Sequence, residues 1–321
     1  MSGAADASRV VALAGGVGGA KLAHGLALLG YGERLAVIVN TGDDFTLWGL
    51  HISPDLDTVL YTLGGVANPA TGWGVVGDSQ VTLEMLGVYG VDTWFTLGDK
   101  DLATHILRTE RLRNGETLTA LMADLARALG IEARLLPMTD DPVATKVQTA
   151  AGLLDFQEYF VRRRHADDVH GIIFEGIEDA ATTPQVADAL ASADLIVICP
   201  SNPFVSVDPI LATGDMRARV SQASAPVVAV SPIIGGAAVK GPAAQMLASL
   251  GHDVSAAGVA AYYRGLVDLL VIDEVDRALA GTIEELGVRV AVTNTLMRSD
   301  EDRRALAGFT VAAGLGMFAQ S

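Results

Sequence analysis

Short runs of apolar residues recur along the whole chain. Several of them show no alternation of apolar and polar positions, which is the pattern of strands buried on both faces. The predicted strands are Val10–Leu13, Leu35–Val39, Arg134–Leu136, Gly171–Phe174, Leu195–Cys199, Val227–Val230, Leu269–Ile272 and Val288–Val292.

Amphipathic stretches separate many of these strands. In the stretch 118–129, leucine and methionine recur at helical spacing and Gly130 ends the pattern. Similar stretches predict helices over Lys21–Leu29, Thr183–Ala191 and Pro242–Leu250. Alternating strands and helices predict an α/β fold with a parallel sheet and helices on both faces. We expect residues 1–321 to form a single domain, with a smaller, more helical lobe inserted around residues 60–170.

Polar and small residues follow four of the predicted strands. They lie at residues 15–19, 40–44, 200–203 and 231–236. Ligands of open parallel sheets bind outside the carboxyl ends of the strands. The sequence therefore predicts a polar cleft at this edge of the sheet.

Composition narrows the class of partner. Half of the residues are apolar, enough for a sizeable core, and 38 acids against 22 Lys and Arg give a net charge of −16. That charge argues against a nucleic-acid partner, and a single cysteine, Cys199, excludes a disulfide framework. The N-terminus shows no basic stretch followed by an apolar one, so we expect a cytoplasmic protein with no membrane partner. Together with 35 glycines, these properties indicate a protein that acts on small molecules.

The first candidate motif is the glycine run Gly15-Gly16-Val17-Gly18-Gly19, which follows a strand and opens a helix together with Lys21. Backbone N–H groups at such a turn can bind phosphate oxygens. The run fits neither of the common nucleotide-binding fingerprints well. The alternative is a tight turn that packs closely without a ligand.

The second motif supplies four carboxylates. Asp43 and Asp44 follow a strand, and Asp55 and Asp57 lie in the first turn of a helix that Ser53 is predicted to cap. Magnesium is typically held by one or two carboxylates. We expect Asp43 and Asp55 to bind Mg²⁺ and Asp57 to hold a substrate hydroxyl. The alternative is that Asp55 only complements the helix dipole and that Asp43 and Asp44 form a solvated turn.

The third motif, Leu97–His105, offers Lys100 to pair with a phosphate and His105 to carry a proton. The alternative is that Asp99 caps a helix and His105 is an ordinary helix residue. Ser201 and Asn202 lie in a proline-bounded loop that suits contacts to a base or a phosphate, although an ordinary turn explains it equally well.

Taken together, the motifs identify a resemblance that runs from about residue 10 to beyond 300. The chain resembles the 2-phospho-L-lactate transferases, and the segments that carry the likeness are 15–19, 40–44, 53–61, 97–105, 136–142, 200–203 and 231–236. The resemblance implies a Rossmann-like core with an extra lobe, Mg²⁺ as cofactor and a homodimer.

The resemblance also implies a reaction in the biosynthesis of coenzyme F-420. A phospho-lactyl, phospho-enolpyruvyl or phospho-glyceryl group would pass from a guanosine diphosphate conjugate to the ribityl hydroxyl of Fo (7,8-didemethyl-8-hydroxy-5-deazariboflavin), releasing GMP. The catalytic candidates are Asp57, Asp55 and Lys100, and the Fo-binding candidates are Asp57, Lys100 and His105. The candidates for binding the donor nucleotide and its phosphates are Gly15, Gly16, Gly18, Gly19, Lys21, Asn40, Ser201 and Asn202.

Two other readings of the sequence are considered. A YvcK-like regulatory protein that binds a nucleotide sugar shares a glycine-rich first loop, but the S-P-D-L-D-T and G-D-K-D-L-A-T-H segments favour the transferases. An NAD-dependent dehydrogenase fits less well, because Asn40 stands where the ribose-binding acid is expected.

Overall fold

The computed structural model describes residues 8–316. The strands are β1 (Val10–Ala14), β2 (Leu35–Val39), β3 (Phe45–Leu47), β4 (Leu50–Ile52), β5 (Arg134–Pro137), β6 (Ala144–Thr149), β7 (Gly152–Asp155), β8 (Gly171–Glu175), β9 (Leu195–Ile198), β10 (Val227–Val230), β11 (Ile233–Ile234), β12 (Ala237–Ala238), β13 (Leu269–Ile272) and β14 (Arg289–Val292). The helices are α1 (Gly16–Ala27), α2 (Pro54–Leu63), α3 (Val81–Val88), α4 (Asp99–Arg113), α5 (Leu118–Ala128), α6 (Pro184–Ala191), α7 (Asp208–Ala212), α8 (Met216–Ser221), α9 (Ala243–Ser249), α10 (Ala256–Tyr262), α11 (Ala280–Glu285) and α12 (Asp300–Gly316).

Seven strands form one sheet in the order β14-β13-β10-β9-β1-β2-β5, with every neighbouring pair parallel. This confirms the predicted α/β fold with a Rossmann-like parallel sheet. From β1 the chain moves to β2 and β5 on one side and then returns to β9 on the other. Parallel sheets bind ligands at such a reversal point, so the crevice between the ends of β1 and β9 is where a site is expected.

Alternate residues of β1 enter the two halves of the core, as the absence of apolar–polar alternation predicts. Val10 and Ala12 pack with helices α1, α2, α5 and α12, whereas Val11 and Leu13 pack with helices α6 to α11 on the other face. None of the helices within residues 8–316 is long and apolar enough to cross a membrane.

One predicted strand has a different place from the others. The segment Gly171–Phe174 becomes β8, which pairs antiparallel with β6 in a separate three-stranded sheet, β7-β6-β8. Strands β6 and β7 are joined by a tight turn at Gly152, whose φ of +110° suits glycine. A short turn of this kind can connect only antiparallel strands, which explains the antiparallel pairing of β6 with β7.

Residues 60–170 include elements that lie outside the central sheet and one strand that belongs to it. Helices α3 and α4 and strands β6 and β7 lie outside the central sheet, but β5 pairs with β2 within it. The region is therefore less purely helical than expected, and the boundary of an inserted lobe stays a prediction.

Helices α3 and α4 exchange their N-terminal caps. The Asp99 carboxylate, at the start of α4, accepts hydrogen bonds from the N–H groups of Val81 and Thr82 at the start of α3. The Asp78 carboxylate, just before α3, accepts from the N–H groups of the two residues after Asp99. A Cβ atom at Gly98 would lie only 2.0 Å from an Asp78 oxygen, so a larger residue there would displace the Asp78 carboxylate from the cap. Asp99 therefore caps a helix, as the structural alternative expects, but that helix is the neighbouring α3, and the N-cap residue of α4 itself is Gly98.

Candidate functional site

A cavity of about 860 Å³ opens at the carboxyl edge of the central sheet. Residues after four parallel strands line it, among them Gly15 after β1, Asp43 after β2, Ser201 after β9 and Ser231 after β10. These are the strand ends at which the sequence predicts a polar cleft. The starts of α1 and α2 and one face of α4 complete the wall.

The glycine run meets protein partners on its first two N–H groups. Gly15 N–H donates to Ser201 Oγ at 3.2 Å, and Gly16 N–H donates to Asp55 Oδ1 at 2.8 Å. Val17 and Gly18 also line the cavity. Because N–H groups in the first turn of a helix lack intrahelical acceptors, these two amides are the ones suited to phosphate oxygens.

Steric contact explains the other glycines of the run. A Cβ atom at Gly18 would lie 2.3 Å from the Pro200 carbonyl oxygen, and one at Gly19 would lie 2.6 Å from Ser201 Oγ. The glycines thus let the β1–α1 turn pack directly on the loop after β9. Gly19 itself is buried and does not line the cavity.

Asn40 lies behind Asp55 and does not line the cavity. Its side-chain N–H donates to Asp55 Oδ2 at 3.0 Å and to the Val205 carbonyl at 3.1 Å, and its Oδ1 accepts from Gly42 N–H. Both oxygens of Asp55 therefore accept hydrogen bonds from the fold. Asn40 orients this carboxylate, whereas the sequence predicted that it binds the nucleotide.

Asp43 has a carboxylate oxygen without a partner: its Oδ1 is buried and has no hydrogen-bond partner among the described residues. Oδ1 of Asp44 is in the same state, but Asp43 lines the cavity and Asp44 does not. Burial, followed by the nearby Asp55 carboxylate, raises the pKa of Asp43 well above its usual range. Burial likewise raises the pKa of Asp55 to about 6. Two adjacent buried carboxylates with an unused oxygen fit a divalent cation, which would compensate both charges.

Asp44 has a different task from Asp43. Its Oδ2 pairs with His51 Nε2 at 3.0 Å and accepts from the Ser53 hydroxyl at 2.7 Å. Pro54 is the first residue of α2, as predicted, but the Ser53 side chain does not cap the helix. Ser53 is therefore the N-cap residue of α2, as predicted, but its hydroxyl makes no capping bond because it donates to Asp44.

Asp57 is held by a residue that sequence reasoning missed. The fully buried Arg108 guanidinium donates to both carboxylate oxygens of Asp57. The bond from Nη1 to Oδ2 is 3.0 Å long. Burial acts to lower the pKa of Arg108, but the Asp57 carboxylate outweighs it and the pKa is raised. Its helical spacing from His105, three residues along α4, is the signal that could have placed Arg108 on the same face.

Next to this ion pair, His105 and Asp101 form a second buried group. His105 Nδ1 lies 3.6 Å from Asp57 Oδ2, and Nε2 lies 3.3 Å from Asp101 Oδ1, which also accepts from the Tyr61 hydroxyl at 2.7 Å. Ligand atoms of Asp57, Asp101 and His105 come within 4.8 Å of one another, as a metal site requires. The Arg108 cation already compensates the charge of Asp57, whereas Asp43 has a buried oxygen with no partner among the described residues. The pair Asp43 and Asp55 is therefore the better cation site.

Lys100 is not in the cavity wall. Its ammonium is exposed and donates to the Val76 carbonyl at 2.9 Å. The predicted contact of Lys100 with a phosphate or with Fo is therefore not supported by this geometry. Its backbone N–H donates to Asp78 and its side chain extends toward the loop before α3.

The cavity nevertheless contains cations. Lys21, Lys240 and Arg298 line it, and of these only Lys21 is expected from the sequence. Lys240 and Arg298 lie in loops after β12 and β14 that show no recognisable motif.

Ser201 and Asn202 both line the cavity and also support the loop after β9. The Ser201 hydroxyl bonds to both the N–H and the carbonyl of Gly15. The Asn202 side chain accepts from Phe204 N–H at 3.0 Å. They remain candidates for contacts with the nucleotide.

Aromatic side chains form one side of the cavity. Phe95, Phe156 and Phe160 line it, and the last two rings are stacked with centroids 5.5 Å apart. Trp73 lines the cavity from the loop of residues 64–80. A flat aromatic substrate would find apolar ring surfaces here. Sequence analysis did not single out these residues.

Comparison with known proteins identifies the same family that the sequence motifs resemble. The sequence model of a family described as 2-phospho-L-lactate transferase CofD matches residues 10–311. A 2-phospho-L-lactate transferase from Methanosarcina mazei is 40% identical over 304 residues, which cover 95% of this chain and 100% of the relative. A phosphoenolpyruvate transferase from Streptomyces griseus is 43% identical over 303 residues, or 92% of this chain and 95% of the relative.

Comparison with solved structures shows which known proteins share the fold. The crystal structure of protein BH3568 from Bacillus halodurans aligns with a TM-score of 0.62 over 95% of this chain and 99% of that one, at 15% identity. At this identity the likeness concerns the fold alone. The relatives near 40% identity are named transferases, which favours an enzyme over the nucleotide-sugar-binding alternative.

Proposed function

This chain belongs to the 2-phospho-L-lactate transferase family, and from that premise we propose the full reaction. It transfers a phospho-lactyl, phospho-enolpyruvyl or phospho-glyceryl group from a guanosine diphosphate conjugate to the ribityl hydroxyl of Fo. The products are coenzyme F-420-0, or the corresponding form with another acyl group, and GMP. The active protein is a homodimer that requires Mg²⁺.

The observation that supports this proposal best is the carboxylate pair at the end of β2 and the start of α2. Asp43 and Asp55 would hold Mg²⁺, because both are buried and one Asp43 oxygen has no partner among the described residues. When bound, the cation neutralises charge on the diphosphate and on the leaving phosphate. The amides of Val17 and Gly18, at the start of α1, would bind phosphate oxygens beside it.

The acceptor would enter along the aromatic side of the cavity. Phe95, Phe156 and Phe160 offer ring surfaces to the deazaflavin. Asp57 would orient the attacking ribityl hydroxyl through an oxygen lone pair that Arg108 leaves open. Because Arg108 fixes that carboxylate, the hydroxyl meets an acceptor in one position, which is the main requirement of phosphoryl-group transfer.

The test is product formation from purified protein, Fo and each of the three donor conjugates, followed by mass spectrometry. We expect product with at least one donor in the presence of Mg²⁺ and none after chelation with EDTA. Asp43→Asn should lower turnover by at least about 100-fold, because it removes the charge of one ligand with little change of shape. Glu110→Gln, an exposed acid on α4, is the matched control and should keep full turnover.

Two results would contradict the proposal. Wild-type protein that forms no product with any donor would exclude the reaction. Asp43→Asn protein with the turnover of the Glu110→Gln control would exclude the assigned cation site.

A further inference from the structure

The aromatic side of the cavity is supported by a third ring that lies outside the cavity wall. Phe160, which lines the cavity, stacks on Phe156 and also on the imidazole of His165. The centroids of the Phe160 and His165 rings are 5.8 Å apart, and their planes are inclined by 21°. His165 itself does not line the cavity. The imidazole therefore contacts the wall without being part of the surface that a substrate meets.

The imidazole is also fixed by a hydrogen bond to a different element. Its Nδ1 lies 2.9 Å from Oε1 of Gln245 in α9. The amide N–H of Gln245 donates to the Asp167 carbonyl at 3.4 Å, which sets the direction of this amide. Because an amide oxygen only accepts, His165 Nδ1 carries a proton and donates. Stacking and hydrogen bonding together determine where the ring lies.

The backbone at His165 is unfavourable for a residue with a side chain. Arg164 and His165 have φ angles of +53° and +44°, in the left-handed region that L side chains rarely adopt. His165 N–H donates to the Tyr159 carbonyl at 2.8 Å and so closes the turn after the helical segment Glu158–Arg162. Glycine or asparagine would form this turn at lower cost. Strained backbone persists where other contacts determine it, and the two contacts of the imidazole do so here.

We propose that His165 is a positioning residue for the aromatic acceptor: it fixes the ring plane of Phe160 before the acceptor binds. The inference rests on the proposed function, in which a deazaflavin lies along this side of the cavity. A phenylalanine without such support has free side-chain torsions, and ordering them on binding lowers the affinity. Because His165 holds Phe160, a flat substrate meets a surface that is already ordered. Gln245 acts on the same ring through His165.

The test compares Fo with GDP, which has no deazaflavin, as ligands of the same protein. Calorimetric titration measures both dissociation constants. His165→Asn removes the ring and keeps a residue that tolerates the left-handed backbone. We expect it to weaken Fo binding about threefold to tenfold, to leave GDP binding unchanged and to keep the melting temperature within about 3 °C of wild type. In turnover assays the KM for Fo should rise by the same factor, with a smaller change in kcat.

A second variant separates the hydrogen bond from the ring. Gln245→Leu removes the acceptor of His165 Nδ1 and leaves the imidazole in the chain. It should weaken Fo binding about twofold to threefold, because the stacking on Phe160 remains.

His170→Asn is the matched control for Fo affinity. It makes the same substitution five positions further along the chain, at an exposed residue outside the cavity wall. Fo and GDP binding should both stay within about 1.5-fold of wild type.

The outcomes separate the positioning role from the reaction. Equal Fo affinity in His165→Asn and His170→Asn overturns the inference. Equal weakening of Fo and GDP binding in His165→Asn also overturns it, because a general loosening of the cavity is then the cause. If His165→Asn does not fold, Gln245→Leu carries the comparison, and unchanged Fo affinity there overturns the inference. Fo binding that depends on His165, in wild-type protein that forms no product, overturns the proposed function and leaves the positioning role standing.

Discussion

The two charged walls of the cavity are built in opposite ways. The acidic wall consists of buried carboxylates on the central elements of the fold, and Asp55 and Asp57 have both oxygens bonded to other residues. The basic wall consists of side chains that reach in from α1 and from two loops, and its lysines are bonded only to backbone carbonyls. The acidic wall is therefore fixed before any ligand binds, whereas the basic wall can adjust to one.

This difference suits the reaction that we propose. A magnesium site needs carboxylates in a fixed arrangement, and the reacting hydroxyl needs a fixed acceptor. A diphosphate that enters and then leaves as GMP is better served by flexible lysines. If the comparison is correct, changes in the acidic wall affect the stability of the fold, and changes in the basic wall affect binding alone.

The largest expected effect is the loss of the Arg108 guanidinium. Arg108→Met leaves the buried Asp57 carboxylate without its partner and should lower the free energy of unfolding by about 3–5 kcal/mol. Urea unfolding measures it. Arg219→Met, which breaks an exposed pair with Asp215, is the control and should cost no more than about 1 kcal/mol.

A double variant sharpens this prediction. Asp57→Leu combined with Arg108→Met removes both charges and should be more stable than Arg108→Met alone. Equal stability of the single and double variants would mean that the buried charge is not the cause.

The next largest effect is a dependence of the free energy of unfolding on pH, in protein freed of metal by chelation. The native pKa of Asp55 is raised to about 6, above the usual value of 3.8, so the native state binds more protons than the unfolded state between these values. The free energy of unfolding should therefore rise by about 1–3 kcal/mol as the pH falls from about 7 to about 5. Chemical unfolding at a series of pH values measures it.

Asp43→Asn provides the comparison for the pH series. It removes one of the two adjacent charges, so its stability should change less with pH than that of the wild type. An equal slope in the two proteins would contradict the coupling of this carboxylate pair.

A smaller effect on the free energy of unfolding is expected at the glycine run between β1 and α1. Gly18→Ala brings a Cβ atom to 2.3 Å from the Pro200 carbonyl and should cost about 1–3 kcal/mol in urea unfolding. Gly87→Ala in α3 meets no atom within 4 Å and should instead be neutral or stabilising by up to about 1 kcal/mol. Destabilisation of the same size at both positions would show that helix packing at Gly18 is not special.

The smallest effect is expected from the basic wall. Lys21→Gln and Lys240→Gln should each change the free energy of unfolding by no more than about 0.5 kcal/mol, because neither ammonium takes part in an ion pair within residues 8–316. A loss of several kcal/mol in either variant would mean that this wall is as structural as the acidic one.

The sequence predicts the sheet well because its strands are buried on both faces. Runs such as Leu35–Val39 and Leu269–Ile272 can be recognised as strands from their uninterrupted apolar residues alone. Candidate residues that directly follow these strands, such as Asp43 and Ser201, reach the cavity because parallel strands end at one edge of the sheet. The position of these residues therefore follows from the local sequence pattern of the strands.

What the sequence does not show depends on tertiary contacts. Arg108 contacts Asp57 across 51 residues, and its spacing from His105 places it on the same face of α4 but does not show that Asp57 is its partner. Lys240 reaches the cavity from a loop with no motif, and the Lys100 ammonium contacts Val76 in the loop before α3 instead of lining the cavity. Each case depends on how separate segments meet, which propensity and spacing do not encode.

The exchange of caps also couples motions. Neither α3 nor α4 supplies the acceptors for its own first amides, so the beginning of each helix is complete only while the other is in place. The two helices then open and close as one cooperative unit. Because α4 carries His105 and Arg108, a fluctuation that begins in the exposed helix α3 reaches the acceptor side of the cavity without a direct contact to any substrate.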